Sequence, residues 1–369
     1  MTGRDRLLAI LNSRPADRLA WTTLVDATTR SAMPADLQTC PTLDVYRRLC
    51  CDFASFGNYG LTPEESVKSP CRLVMPQVEE QSVQLEDGTV VSERRSPWGT
   101  LRAECKNGHP TKYPVQTPDD VTVLTEMWLS SRCEEDEGTE QTYRRFEEAA
   151  GDDALYVAAV EGSPVQQLIQ YEAGVESFYY LLNDARERVE RLLDAMHQRR
   201  SEEMRICARR MPCEAIILVE NTSSTLISPR VYRDLSLPQL RDYARILHDH
   251  GKRAILHMCG LLNDLLDDIA ETNLDAINGL TPPAFGDTEF GDVLDRYVED
   301  FVIWGGVFLG EVLHKADVIY DEIAAVLERI YTPRLRKANF LLWIVVDGIP
   351  TSLDRFCMIG DWMDKHGAK

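Results

Sequence analysis

The sequence has no run of about 18 apolar residues, the length a membrane-spanning helix needs, so it is read without a transmembrane segment. Its opening stretch, MTGRDRLLAILNSRPADR, lacks the continuous apolar block of a secretion signal; its apolar residues recur at helical spacing instead. Positive charge is scarce. Lys and Arg number 40 against 60 Asp and Glu, and the net charge of -20 excludes bulk affinity for nucleic-acid phosphates or anionic lipid. No Gly-rich phosphate-binding fingerprint follows any strand-like run, and there is neither an internal repeat nor a low-complexity tract. The ten cysteines lack the spacing of a disulfide framework. A reducing, cytoplasmic compartment is therefore expected, with most thiols serving as small buried hydrophobes.

What is present suits a globular enzyme-sized chain: 369 residues, 44% hydrophobic and 27% charged. From residue 153 onward, apolar strand-like runs appear at 154–160, 215–219, 253–256, 274–277, 301–304 and 340–346. Helical patterns lie between them, at 183–210, 229–250, 261–271, 312–330 and 352–364. Short apolar strands alternating with amphipathic helices predict a parallel sheet covered on both faces. Two earlier strands, at 18–25 and in the region 52–59, bring the count to eight, which closes naturally into a (β/α)8 TIM barrel. The expected organisation is one domain over 1–369. Residues 82–104 interrupt it as a β-hairpin turning at Glu86-Asp87-Gly88-Thr89.

In such a barrel the active site lies at the C-terminal ends of the strands. There the sequence places Asn58 and Tyr59 after strand 2, Glu161 after strand 3 and Glu220-Asn221 after strand 4. Strand 5 runs into His257-Met258-Cys259-Gly260, strand 6 ends at Asn278, strand 7 at Trp304-Gly305-Gly306 and strand 8 at Asp347-Gly348. Asn58 and Tyr59 face substrate or form a turn, and Trp304 is core or a binding platform. Glu161, Asn221 and Asn278 are candidate substrate contacts. His257 and Cys259, two residues apart on a strand end, point to one face. Imidazole and thiolate are typical zinc ligands, and a carboxylate from another strand, Glu220 first and Asp347 second, would add a third. The alternative is a hydrogen-bonded histidine beside a buried cysteine.

Several segments in chain order resemble the uroporphyrinogen decarboxylase superfamily. They are the first helix with Pro15-Ala16-Asp17-Arg18, the strand 52–56, Glu161-Gly162-Ser163-Pro164, and Ile227-Ser228-Pro229 with Tyr232. Ile255-Leu256-His257-Met258-Cys259-Gly260 and Trp304-Gly305-Gly306 complete the set. True decarboxylases of that superfamily carry an arginine-rich segment after strand 1. Here residues 22–30 contain Arg30 alone as a basic residue, and the Arg-Gln-Ala-Gly-Arg pattern is missing. The chain is thus nearer the methyltransferase branch.

That branch implies zinc on the His-x-Cys pair and on a later cysteine in a Cys-Gly-Ile-Pro-like setting. This sequence has Asp347-Gly348-Ile349-Pro350 there, so the resemblance gives His257 and Cys259 directly, with Asp347 in the cysteine's place. It also implies methyl transfer between a small methylated substrate and a corrinoid (cobalamin) supplied by a partner protein. A carboxylate in place of a thiolate hardens the site and favours an oxygen leaving group, as in an O-demethylase. Two other readings stay open: a metal-free decarboxylase or lyase using Glu161, Glu220 and His257 as acid–base groups, and a non-catalytic ligand-binding barrel. A homodimer is left open as well.

Overall fold

A computed structural model of the chain describes residues 1–283, 285–297, 300–313, 315, 317–346 and 348–368, with only the backbone of 308, 310 and 311. The strands are β1 (Ala20–Thr23), β2 (Phe53–Ala54), β3 (Cys71–Val74), β4 (Glu79–Gln84), β5 (Val90–Ser96), β6 (Gly99–Lys106), β7 (His109–Lys112) and β8 (Arg132–Glu135). They continue with β9 (Ala154–Leu155), β10 (Val157–Glu161), β11 (Ala215–Val219), β12 (Arg253–His257), β13 (Ala276–Asn278), β14 (Val302–Phe308) and β15 (Phe340–Val345). Seven form one parallel sheet in the order β1-β15-β14-β13-β12-β11-β10, so each successive strand from β10 to β15 lies beside its predecessor. The sheet curls into a TIM-barrel-like α/β fold. β2 pairs in parallel with β9, and next to it Asp52 N donates to Trp21 O of β1 at 2.8 Å.

The alternation of side chains along each strand builds two cores. Ala215 and Ile217 of β11 face inward with Ile255, Ala276, Val302, Trp304 and Leu341. Their neighbours Ile216 and Leu218 face outward, into the layer shared with the helices. Leu7, Ile10 and Leu11 of the first helix (Gly3–Leu11) join the inner core and plug the end where the strands begin. That end is fastened by charge. Arg6 donates to Asp17 at 2.7 Å and pairs with buried Asp52, and Arg18 donates to Asp52 at 2.9 Å. The Asp17-Arg18 step and Asp52, which carried part of the family resemblance, thus act structurally, at the end of the sheet away from the candidate site.

Three expectations are corrected. Residues 82–104 are not a lone hairpin but part of a four-stranded antiparallel sheet, β4-β5-β6-β7, over 79–112. The first turn falls near 86–89 as expected. Two more follow, and the last is Asn107-Gly108 with both φ values positive (52° and 78°), the geometry that matches strand twist in two-residue hairpins. The helix expected over 183–210 is Gly174–Asp184 followed by Arg186–Arg210, broken at Ala185. The helix expected over 312–330 is Gly310–Leu313 and then Tyr320–Ile330, the second starting where Glu322 accepts from Ile319 N at 3.3 Å. Arg94 of β5 forms a buried pair with Glu172, fastening the antiparallel sheet to the segment after β10. Among the described residues no helix is long and apolar enough to cross a membrane.

Candidate active site

The register of the parallel strands brings distant residues to one level. Glu161 lies opposite Val219, Val219 opposite His257, His257 opposite Asn278, and Asn278 opposite Trp304. The row continues through Leu341 to Ala20. Registered residues on parallel neighbours project to the same side, with strands about 4.8 Å apart. Trp304, Leu341 and Ala20 belong to the inner core, so Glu161, His257 and Asn278 also point inward. β10, β12 and β13 end on these three residues, which sets them at the open, C-terminal end of the curl.

His257 Nδ1 and Asn278 Oδ1 stand 2.6 Å apart. The imidazole meets Phe56 edge-on at 5.0 Å between ring centres and Trp343 at 6.1 Å. Burial lowers its pKa, outweighing the Asn278 bond, and so favours the neutral ring. Cys259, exposed at the mouth, donates its thiol to Asn221 Oδ1 at 3.4 Å. Glu161 is solvent-accessible, yet the surrounding protein desolvates its carboxyl and raises its pKa, against the pull of Arg200.

Glu220 behaves differently from expectation. It is fully buried, and both carboxylate oxygens accept from Ser163: Oε2 from the backbone N at 2.6 Å and Oε1 from Oγ at 2.7 Å. Burial pushes its pKa up to about 7, opposed by the two Ser163 bonds. Ser163 caps the helix Pro164–Gln167, so Glu220 presses against a helix start. Gly162 permits this approach, because a Cβ there would lie 2.4 Å from Glu220 Oε2. Buried and bonded to Ser163 through both oxygens, Glu220 braces the rim from beneath. In the sequence, the Ser163-Pro164 pair is the signal that marks a helix cap there.

The remaining expected residues divide. Asn58 spends its amide on the loop: Nδ2 donates to Val67 O, while Oδ1 accepts from Val67 N and, at 3.1 Å, from Tyr156 OH. Tyr59 beside it is half exposed. Trp304 is not at a strand end, because β14 runs on to Phe308; it is packed in the inner core, and its Nε1 has no partner among the described residues. Asp347 lies outside the described residues. Among the described residues, no three side chains of His, Cys, Asp or Glu gather as a metal centre. His257 and Cys259 supply a neutral imidazole and a thiol near one another on the chain. By donor chemistry they fit a soft divalent ion as two ligands, with a third still to be supplied.

Comparison with known proteins accords with this geometry. Residues 112–288 match the family described as uroporphyrinogen decarboxylase, a stretch that holds Glu161, Ser163, Glu220, Asn221, His257, Cys259 and Asn278. The resemblance read from the sequence is borne out over this stretch, which includes the Glu161–Pro164, Ile227–Tyr232 and Ile255–Gly260 segments. Among solved structures, a methyltransferase from Methanosarcina mazei is 18% identical, with a TM-score of 0.58 and 99% of each chain covered, so the fold is shared end to end. An AP endonuclease of family 2 from Brucella melitensis is 10% identical at a TM-score of 0.35, covering 63% of this chain and 85% of its own. A D-psicose 3-epimerase solved in the presence of D-fructose is 10% identical at a TM-score of 0.31, covering 61% and 69%. These last two are too distant to bear on function. No curated protein matches the chain.

Proposed function

We propose that this chain is a methyltransferase that moves a methyl group between a small methylated substrate and a corrinoid carried by a partner protein. The observation that carries the reading is the His257–Cys259 pair at the mouth of a fold shared over its whole length with a methyltransferase. We read the curl as an eight-stranded barrel closed through β2, with the chain as a single domain. We assign zinc to His257 and Cys259, with Asp347 as the oxygen ligand, and remove Glu220 from the ligand set because Ser163 holds both its oxygens.

A bound zinc ion would withdraw charge from the oxygen of a methyl ether, the O-demethylase direction. The chain's own residues do the rest. Phe56 and Trp343 wall the imidazole and limit water around it. Glu161, two strands from His257 in the same row, holds a proton more readily than an ordinary carboxylic acid. In this reading it would donate that proton to the oxygen left when the methyl departs.

The test is metal content and corrinoid-dependent demethylation of a panel of small methyl ethers, before and after chelation. Cys259→Ala should lose metal and activity together while unfolding as the wild type does, since Cys259 is exposed. Stoichiometric zinc in that variant would remove Cys259 from the ligand set. A second reading, metal-free acid–base lysis, has the raised carboxyl of Glu161 in its favour. Activity that survives chelation would select it. Uroporphyrinogen should not be turned over in either case, because residues 22–30 offer only Arg30 to its carboxylates, and Arg30 already bonds Gln38 O and Thr42 Oγ1.

A further inference from the structure

We infer that Asn278 and Asn221 are positioning residues that preset the His257–Cys259 pair, Asn278 by fixing which imidazole nitrogen carries the proton and Asn221 by holding the thiol. What the pair is held for rests on the zinc reading above; how it is held does not. A neutral imidazole has one N–H and one lone pair. An amide oxygen only accepts, so with Asn278 Oδ1 at 2.6 Å the proton belongs on Nδ1. Nε2 then keeps its lone pair, and it has no hydrogen-bond partner among the described residues. This is the tautomer a metal-binding or basic histidine needs, set by the group on its other nitrogen.

The fold leaves Asn278 little freedom to do otherwise. It is almost fully buried and in register with His257 on the next strand. Its carbonyl accepts from Met258 N at 3.0 Å, and the following Gly279 N donates to Trp304 O at 3.1 Å. Gly279 has φ of +100°, and a Cβ there would meet Met258 O at 2.5 Å and His257 Cε1 at 3.2 Å. Glycine at this point gives the imidazole its place against the strand.

Asn221 is held as firmly from the other side. Its φ of +40° lies in the left-handed region that Asn tolerates better than most residues. Its N donates to His257 O at 2.9 Å, and its own carbonyl accepts from Gln166 Nε2 at 3.0 Å. With the backbone fixed at both ends, the side-chain oxygen is presented to Cys259 Sγ at 3.4 Å. Each member of the pair therefore has its own asparagine, and the two asparagines come from the strands or strand ends flanking β12.

The test is tautomer-resolved NMR of 15N-histidine-labelled apo protein, with the His257 signals identified by their loss in His257→Gln. The wild type should show the Nδ1–H form. Asn278→Leu should move it toward the Nε2–H form that an unconstrained histidine side chain prefers, and Asn278→Asp, which keeps an acceptor, should restore Nδ1–H. An Nε2–H wild type, or no change in Asn278→Leu, overturns the assignment to Asn278. Cobalt(II) titration reads the consequence. Asn278→Leu and Asn221→Gly, the latter keeping the left-handed backbone, should each weaken cobalt binding by about 10- to 100-fold. Unchanged cobalt affinity in both overturns the positioning role. If the tautomer results hold and the wild type binds neither cobalt nor zinc, the zinc reading falls and the assignment of Asn278 stands.

Discussion

Replacing Glu220 by glutamine isolates the pH dependence of one buried carboxyl. In the folded chain the group stands at about 7 against an ordinary 4.5, raised by burial and partly restrained by the two bonds from Ser163. Its folded value lies above its unfolded value, so between those pH values the folded state binds the extra proton. The stability this contributes is fully present below about pH 4.5 and is lost as pH rises through about 7. At about 1.36 kcal/mol for each tenfold change in proton affinity, the whole effect is about 3 kcal/mol, of which about 2.5 kcal/mol falls between pH 5 and 8. Glutamine does not titrate. Its amide also faces the Ser163 N–H with one acceptor where two were needed, a cost that does not vary with pH. The assay is urea unfolding of wild type and Glu220→Gln at pH 5, 6, 7 and 8. The stability difference, wild type minus variant, should decline by about 2.5 kcal/mol across that range. Other titrating groups are common to both proteins and cancel. Parallel pH profiles would refute the argument and return Glu220 to an ordinary ionised carboxylate.

Two further substitutions probe how the rim and the inserted sheet are held. Gly162→Ala sets a methyl group 2.7 Å from Glu220 Cα and 2.9 Å from its N, backbone that cannot step aside; urea unfolding should show a loss of about 1–3 kcal/mol, and a neutral result would show that the turn can widen. Arg94→Ala strands Glu172, which is almost wholly buried, and should cost about 3–5 kcal/mol, while Arg94→Ala with Glu172→Gln recovers part of the loss. Equal stability of the single and double variants would show that the charge is not the cause.

The strands from β10 to β15 were legible because each is a short block of apolar residues, inward and outward alike, which reports a strand covered on both faces. Their ends were legible for the same reason: Glu161, His257 and Asn278 are where the apolar blocks stop. The end of β14 was set too early by the same rule, since the strand continues through Gly305 and Gly306, residues that carry no strand signal of their own, while Trp304 took the core reading of the two the sequence allowed. The inserted sheet was half seen. The alternation over 82–104 marks one hairpin, and Asn107-Gly108, a strong local turn signal, carries the chain on into β7. Glu220 stands at the expected strand end, but its hydrogen-bond partner was not legible. Its partner Ser163 is 57 residues away, and no local pattern states that a helix cap will close on a carboxylate from the next strand. The role of Asn58 was hidden similarly, in a loop bond to Val67 that depends on where the chain returns.

The row from Glu161 to Ala20 has a bearing on how such a molecule can change its occupation. Its reactive members are ordinary members of a packed level, wedged between neighbours whose positions the strand ladder dictates. A one-residue slip in any of these strands would turn its member to the outside, so the reactive geometry persists only as long as the ladder keeps its register. The loops above the row carry no such obligation. They can lengthen, shorten or exchange residues, as surface connections generally do, while the imidazole, amide and carboxyl beneath stay in place. Selection for a new substrate would then work on an upper storey of loops over a foundation it need not rebuild.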